Sequence, residues 1–545
     1  MAQKVTVTVN EGKVRGAKKV SKFSGAEYYS FFGIPYGQNT RGSMRLKDPV
    51  KAKPWDGILD ASVEKKEGCL QYSYVRQNIV GSEDCLYTNI HTPNLPSKND
   101  ALKAVIVLLH PGGLSHGSPE TWHYGSPDYI MHLDVLYVGI AHRLHFLGFL
   151  NLGLDECSGN QGLKDIILGL EWIRDNISVF GGDPNNVTLL GSSSGAALVH
   201  NMMLSHRAQG LFHKAVMMSG YFFNPLRLTM AENMTMSAEL AENLEYDVPD
   251  KSDRKKLLSI YRKIGAEHLI AYRPDRKINM VLGTPFPVSP FMPTVDHREN
   301  GVHPHHFRKS IPSTARVPLL YGICEKEAFG AFCRGMREGT MKNFVTSIRN
   351  NHYGWAYDVT DDEVQYIKKR LGDCYWKGQN IESASLPILI DVYTDLANSD
   401  LYKTLLDVVA KDLPESVYVY KFTFEGNACT LKDKLSVLLE ESVQGTFHAD
   451  DFSYWTPIVL PGDEPHRIFS NETIQMIHTF TKMVTNFAKT GDPNIDEFKV
   501  HWDPSTTDKP CYMQIDNESR LIEGKLNGER MEFLENLKHE LRKDY

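Results

Sequence analysis

The sequence predicts an α/β fold: a large central, mostly parallel twisted sheet flanked by helices. Three observations carry this. Short apolar runs of strand length, at 105–109, 135–142, 187–190 and 317–321, stand between longer connecting segments. One of those segments, 162–179, has Ile166, Ile167, Leu170, Ile173 and Ile177 at helical spacing. Strands that alternate with helices pair in parallel through crossovers. Finally, at 187–204 an apolar strand (VTLL), a glycine turn (GSSSG) and a helix (AALVHNMML) follow one another without a gap.

In chain order, residues 5–20 read as an antiparallel hairpin, VTVTV and KVRGAKKV around Asn10-Glu11-Gly12. Residues 28–60 read as turn-rich, punctuated by Gly33, Pro35, Gly37, Pro49 and Pro54. Strands follow at 85–92, 105–109 and 135–142, then the 162–179 helix and the 187–190 strand. A strand at 215–218 comes next. The mixed, polar stretch 225–310, with helical charge patterning over 252–271, reads as an insertion over the active face. A strand returns at 317–321. Residues 361–412 read as helical, 417–424 as a strand, 471–488 as an amphipathic helix and 511–515 as a late strand. Met531, Leu534, Leu537 and Leu541 give the last helix an apolar stripe. With no linker or repeat to divide it, the chain 1–545 reads as a single domain.

The turn at 191–195 is G-x-S-x-G. Its glycines keep Cβ atoms out of a sharp bend, and the helix beyond aims N–H groups at the middle residue. Ser193 is the candidate nucleophile. A second match, Gly113-Leu114-Ser115-His116-Gly117, lacks that context, because Gly117-Ser118-Pro119 cannot open a helix. A serine hydroxyl needs a base beside it, and the base needs an acid to hold its tautomer. In this architecture the order is Ser, acid, His. His448 lies in a glycine-containing loop past the 417–424 strand. Glu325 and Glu327 both follow the 317–321 strand, and spacing does not choose between them. The loop His110-Pro111-Gly112-Gly113 offers N–H groups that can approach an oxyanion, with Ser194 as a further donor.

The composition, 41% hydrophobic and 23% charged with a net charge of −7, is that of a globular protein with ample core. The chain carries no basic run, which excludes nucleic acid as a partner. Apolar runs are too short to span a membrane. Eight cysteines are scattered without metal-ligand spacing. The opening residues hold no apolar leader, so a reducing, cytoplasmic setting is expected for the chain as it stands, and secretion if a leader has been removed. Oligomeric state is not legible.

These residues carry a resemblance. The chain is similar to the carboxylesterase/cholinesterase (type-B) family of α/β-hydrolases, and especially to insect α-esterases. The matching stretches are Gly33-Ile34-Pro35-Tyr36, Gly81-Ser82-Glu83-Asp84-Cys85-Leu86-Tyr87, Arg143-Leu144, Gly159-Asn160-Gln161-Gly162-Leu163-Lys164-Asp165, Phe180-Gly181-Gly182-Asp183-Pro184-Asn185, Ser219-Gly220 and residues 486–494. The resemblance implies the α/β-hydrolase fold, Ser193 as nucleophile, His448 as base and Glu327 as acid. It implies oxyanion donors at Gly112, Gly113 and Ser194, and a disulfide between Cys69 and Cys85. A second family disulfide has no cysteines here.

No metal or cofactor is implied. The expected activity is hydrolysis of carboxylic esters, xenobiotic or lipid-like, in detoxification and insecticide resistance, with organophosphates as covalent inhibitors. The alternative is a weakly catalytic or non-catalytic relative that sequesters esters or serves as a binding module. Three motifs depart from the family pattern: Ser192 and Ser194 stand where a glutamate and an alanine are usual, Pro111 where a glycine is, and His142 and His145 where a tyrosine and a glycine are. Pro111 removes one N–H but none of the expected oxyanion donors.

Overall fold

The computed structural model describes residues 3–541 except 65–66, 74–75, 77, 99, 121–122, 220–229, 247–249, 251, 272–290, 297, 299, 304–315, 329–360, 378–386, 389, 393, 396–409, 412, 414–415, 430–443 and 459–467. The strands in chain order are β1 Lys4–Val9, β2 Gly12–Val20, β3 Glu27–Pro35, β4 Ile58–Asp60, β5 Gln71–Ser73, β6 Asn78–Val80, β7 Tyr87–Thr92, β8 Lys103–Leu109 and β9 Leu136–Ile140. They continue as β10 Asn151–Leu154, β11 Cys157–Ser158, β12 Gly182–Ser192, β13 Lys214–Met218, β14 Leu319–Cys324, β15 Val417–Phe422, β16 Cys511–Ile515 and β17 Arg520–Glu523. Thirteen of them form one sheet in the order β1-β2-β3-β7-β9-β8-β12-β13-β14-β15-β16-β17, with β4 beside β2. Its centre, from β9 to β16, is parallel throughout. The expected hairpin forms its edge, with Lys4 opposite Ala17 and Val9 opposite Gly12.

The central strands are apolar on both faces because both faces are covered. Val105, Val107 and Leu109 of β8, Val187 and Leu189 of β12, and Leu319, Tyr321 and Ile323 of β14 belong to one core. Ile106, Leu108, Leu190, Leu320 and Tyr420 belong to the other. The period is two, as strand geometry requires. Helix α1, Gln161–Asn176, lays Leu163, Ile166, Ile167, Leu170 and Ile173 on the first core. The helix Asn471–Thr490 lays Ile477, Phe480, Val484 and Phe487 on the second. Ser470 caps that helix through the Thr473 N–H, and Gly491 closes it at φ 84°.

Several sequence expectations need correction. The stretch 28–60 is not merely turn-rich: β3 occupies 27–35, pairs β2 and β7, and carries an irregularity between Phe31 and Ile34. Gly33 and Pro35 read as breakers, but Gly33 sits within that irregularity and Pro35 is the last residue of the strand, where β2 no longer pairs it. Strand β14 runs to Cys324, three residues beyond the expected end. Within 225–310 the structure describes helices Met230–Asn243, Arg254–Lys263 and Ala266–Ala271, while 272–290 lies outside the described residues. Much of 361–412 also lies outside them, apart from the helix Asp361–Tyr375 and short pieces beyond it.

Family-like stretches turn out to hold the architecture. Arg143 grips the Asp165 carboxylate through Nε and a terminal nitrogen at 2.8 and 2.7 Å, and Arg45 grips Glu83 at 2.7 Å twice. Both pairs are buried. Removing one partner of such a pair costs about 3–5 kcal/mol, because the other charge is stranded. Cys69 and Cys85 form a disulfide with their Cα atoms 4.9 Å apart. Cys157, Cys324, Cys374 and Cys511 are thiols, and Cys333 lies outside the described residues. Among the described residues no helix is long and apolar enough to cross a membrane.

One stability prediction follows from the buried imidazoles. Burial pushes the pKa of His91, His110 and His303 down to about 3, and of His142 and His200 down to about 4, from an ordinary 6.5. Such groups take up protons only on unfolding. Their stabilisation is complete above pH 6.5 and is lost as pH falls toward the folded values. Glu120, Asp395 and Asp451 are raised to about 7, 6 and 6 by burial and act in the opposite sense. The imidazoles outnumber them, and lowering the pH from 7 to 5.5 should cost on the order of 1 kcal/mol for each imidazole not offset in this way. Denaturant midpoints that stay flat across that interval would contradict this.

Candidate active site

Strand β12 ends at Ser192, and α2, Ser194–Leu204, begins two residues later. Ser193 between them has φ 56° and ψ −124°, a conformation L-residues rarely hold. The bend leaves no room beside it. A Cβ on Gly191 would lie 2.2 Å from the Gly195 carbonyl carbon, and one on Gly195 would lie 2.0 Å from the Leu109 oxygen. The Ser193 N–H donates to the Met218 carbonyl at 2.9 Å, which ties the bend to β13. Strain of this kind persists only where neighbours enforce it.

Ser193 Oγ lies 2.8 Å from His448 Nε2, and His448 Nδ1 lies 2.8 Å from Glu327 Oε2. The carboxylate accepts, so Nδ1 carries the proton and Nε2 accepts from the serine hydroxyl. Glu327 is fully buried, and its Oε1 accepts from the Cys324 N–H at 2.7 Å. Glu325, the other carboxylate spacing allowed, turns instead toward Gly445: an added Cβ there would lie 2.8 Å from its Oε2.

Acid and base come from loops at the carboxyl ends of β14 and β15, as open sheets of this kind provide. Thr446 laces the two loops together. Its carbonyl accepts from Lys326 N at 2.7 Å, and its hydroxyl accepts from Glu325 N at 3.0 Å while donating to the Phe422 carbonyl. Sequence reasoning missed Thr446, and also Asp451. Asp451 is buried behind the triad, and its pKa is pushed up to about 6 by burial first and then by the Glu327 charge. It accepts from Tyr420 Oη at 2.7 Å and from Ser219 Oγ at 3.4 Å. Ser219 Oγ in turn accepts at 3.3 Å from the N–H of Ala449, the residue after the base. Gly322 makes room for Tyr420, since a Cβ there would strike its ring at 1.8 Å.

The expected oxyanion donors lie on the two segments that adjoin the elbow in the chain's topology. Gly112 and Gly113 follow β8, which pairs β12 through Leu109 and Gly191. Ser194 is the first residue of α2. Among the described residues no hydrogen-bond acceptor takes the N–H of Gly112, Gly113 or Ser194. Of the departures, Ser192 is fully buried, and its Oγ has no partner among the described residues. His142 stacks on His110 with ring centroids 4.6 Å apart and planes at 5°. Each ring places Nδ1 near a carbonyl, Pro111 O at 2.9 Å and Arg143 O at 3.2 Å, so each holds its proton there. Ser115 is in the glycine loop, with His116 Nδ1 at 3.1 Å, and is not at an elbow. No group of His, Cys, Asp and Glu able to hold a metal occurs among the described residues.

The sequence model of the carboxylesterase family matches residues 3–534. Esterase E4 of Myzus persicae is 31% identical over 515 residues, covering 91% of this chain and 88% of its own. Juvenile hormone esterase of Heliothis virescens is 26% identical, covering 91% and 87%. Among solved structures, juvenile hormone esterase from Manduca sexta with OTFP covalently attached superposes with a TM-score of 0.78 at 25% identity, covering 98% of this chain and all of that one.

Proposed function

Because the chain belongs to the carboxylesterase family and is a serine hydrolase of carboxylic esters, we propose that Ser193, His448 and Glu327 carry the reaction through an acyl-enzyme. Ser193 Oγ attacks the ester carbonyl carbon while His448 Nε2 takes its proton. The negative charge forming on the carbonyl oxygen is met by the N–H groups of Gly112, Gly113 and Ser194. Collapse breaks the bond to the alcohol oxygen, which leaves with the proton from His448. Water then repeats the cycle: His448 removes its proton, the hydroxyl oxygen joins the acyl carbon, and Ser193 departs reprotonated. Throughout, Glu327 holds the ring in the tautomer that keeps Nε2 an acceptor.

The observation that carries this reading is the unbroken chain Glu327–His448–Ser193, at 2.8 Å in each link. The reading takes residues 1–545 as one domain, supported by a sheet that draws on β1 at one end of the chain and β17 at the other. For substrate we favour xenobiotic or lipid-like esters, in detoxification; relatives named for juvenile hormone support the lipid-like choice.

An organophosphate tests the assignment, since phosphorylation follows the path of acylation to the same hydroxyl. One equivalent should end all hydrolysis of an aryl ester, with the adduct in the peptide containing Ser193. An adduct on Ser115 or Ser192, or activity that survives full labelling, would refute it.

A further inference from the structure

The loop that carries Gly112 and Gly113 is closed on itself. The Gly112 carbonyl accepts from Ser115 N and His116 N, each at 3.1 Å, and from Ser115 Oγ at 3.2 Å. In a trans peptide the C=O and the following N–H point in opposite directions. Three donors drawing the Gly112 oxygen into the loop therefore turn the Gly113 N–H out of it. The two ends are in close contact. A Cβ on Gly112, at φ 128°, would lie 1.9 Å from the His116 oxygen, and one on Gly117, at φ 114°, would lie 2.2 Å from the Pro111 oxygen and 2.3 Å from His110 Nδ1.

A side chain from outside the loop grips the closure. Gln71, on β5 and 2% exposed, pairs with both polar groups of one residue. Its Oε1 accepts from the Gly117 N–H at 2.6 Å, and its Nε2 donates to the Gly117 carbonyl at 2.8 Å. The second Nε2 proton goes to the Cys69 carbonyl at 3.0 Å. Cys69 is bonded to Cys85, two residues before β7 in the main sheet. A continuous path of bonds thus runs from the sheet through the disulfide and Gln71 to Gly117.

We propose that Gln71 is a positioning residue for ester hydrolysis: it clamps Gly117, keeps the 110–117 loop closed, and so holds the Gly112–Gly113 peptide with its N–H toward the reacting carbonyl. The proposal rests on reading Gly112 and Gly113 as oxyanion donors. It also gives the second G-x-S-x-G stretch a role, since Ser115 ties down the Gly112 oxygen. A flipped peptide would present a carbonyl oxygen to the developing anion in place of a donor. Because the charge develops only in the transition state, kcat bears the loss and KM does not.

The test compares wild type with Gln71→Met, Gln71→Glu and a Cys69→Ala/Cys85→Ala double variant. Glutamate keeps the acceptor for Gly117 N–H and loses both donors, which guards against a Met variant that fails to fold. Rates on an aryl ester are normalised to sites titrated with an organophosphate. Full loss of one oxyanion donor costs about 10²–10³ in rate, so a loosened loop should lower kcat about tenfold to a hundredfold in Gln71→Met. KM should stay within about twofold, because ground-state binding does not use the charge. Affinity for a trifluoromethyl ketone, which forms a tetrahedral adduct on the serine, should fall in parallel with kcat. Hydrogen exchange at Gly117 should quicken, and the double variant should shift every readout the same way by less. Unchanged exchange at Gly117, whatever kcat does, overturns the clamp. Faster exchange with unchanged kcat and ketone affinity overturns Gln71 as a positioning residue and leaves Gly112 and Gly113 as donors untouched, since the Ser115 and His116 bonds still hold the Gly112 carbonyl.

Discussion

Ser193→Ala should lower kcat on an aryl ester by roughly five to six orders of magnitude while the protein folds normally. The substitution removes one atom, the hydroxyl oxygen 2.8 Å from His448 Nε2, and leaves the Met218 hydrogen bond to the backbone in place. The residual rate would come from the oxyanion donors and from substrate binding alone. A companion variant separates chemistry from strain. At φ 56° and ψ −124° a side chain is a liability, and Ser193→Gly should be equally inactive yet more stable by about 1 kcal/mol. Thermal unfolding of the pair, beside their steady-state rates, gives both answers. Near-wild-type turnover by Ser193→Ala would remove it as nucleophile and direct attention to Ser115.

The parts of the fold that were legible are those buried on both faces. In β8, β12 and β14 the apolar stretches 105–109, 187–190 and 319–324 are buried on both faces, so they read as apolar runs of strand length. The elbow was legible because its constraint is local: Gly191 and Gly195 are required by atoms within a few residues of them or on the adjoining strand. Strand β3 was hidden for the opposite reason. Its sequence, EYYSFFGIP, holds two residues that break regular strands, and only pairing with β2 and β7 reveals why they are tolerated.

The site divides in the same way. Ser193 and the glycine loop have local signatures, whereas the groups that hold them act across long separations. Asp451 meets Ser219 across 232 positions, Gln71 meets Gly117 across 46, and Thr446 meets Glu325 across 121. No periodicity or spacing encodes such partners. Ser192 is an intermediate case: its departure from the family was visible in the sequence, but its burial without a partner among the described residues needed the structure.

The choice between Glu325 and Glu327 makes the second large prediction. Glu327→Gln should lower kcat by about four orders of magnitude at neutral pH, and Glu325→Gln should change it less than about twofold. The reason lies in which way a glutamine at 327 must face. The Cys324 N–H donates to Oε1 at 2.7 Å, and only the amide oxygen can accept there. The amide nitrogen is therefore forced to the Oε2 position, 2.8 Å from His448 Nδ1. Two donors cannot face each other, so the ring gives up the Nδ1 proton and carries it on Nε2. That tautomer cannot accept from Ser193, and the base is disabled without being moved. Glu325 has no such link: its N–H bonds Thr446, and its carboxylate lies beside Gly445. Steady-state kinetics of both variants on one aryl ester decide the matter. Comparable losses from the two substitutions, or a Glu327→Gln protein within about tenfold of wild type, would mean that the acid of the triad has been assigned to the wrong residue.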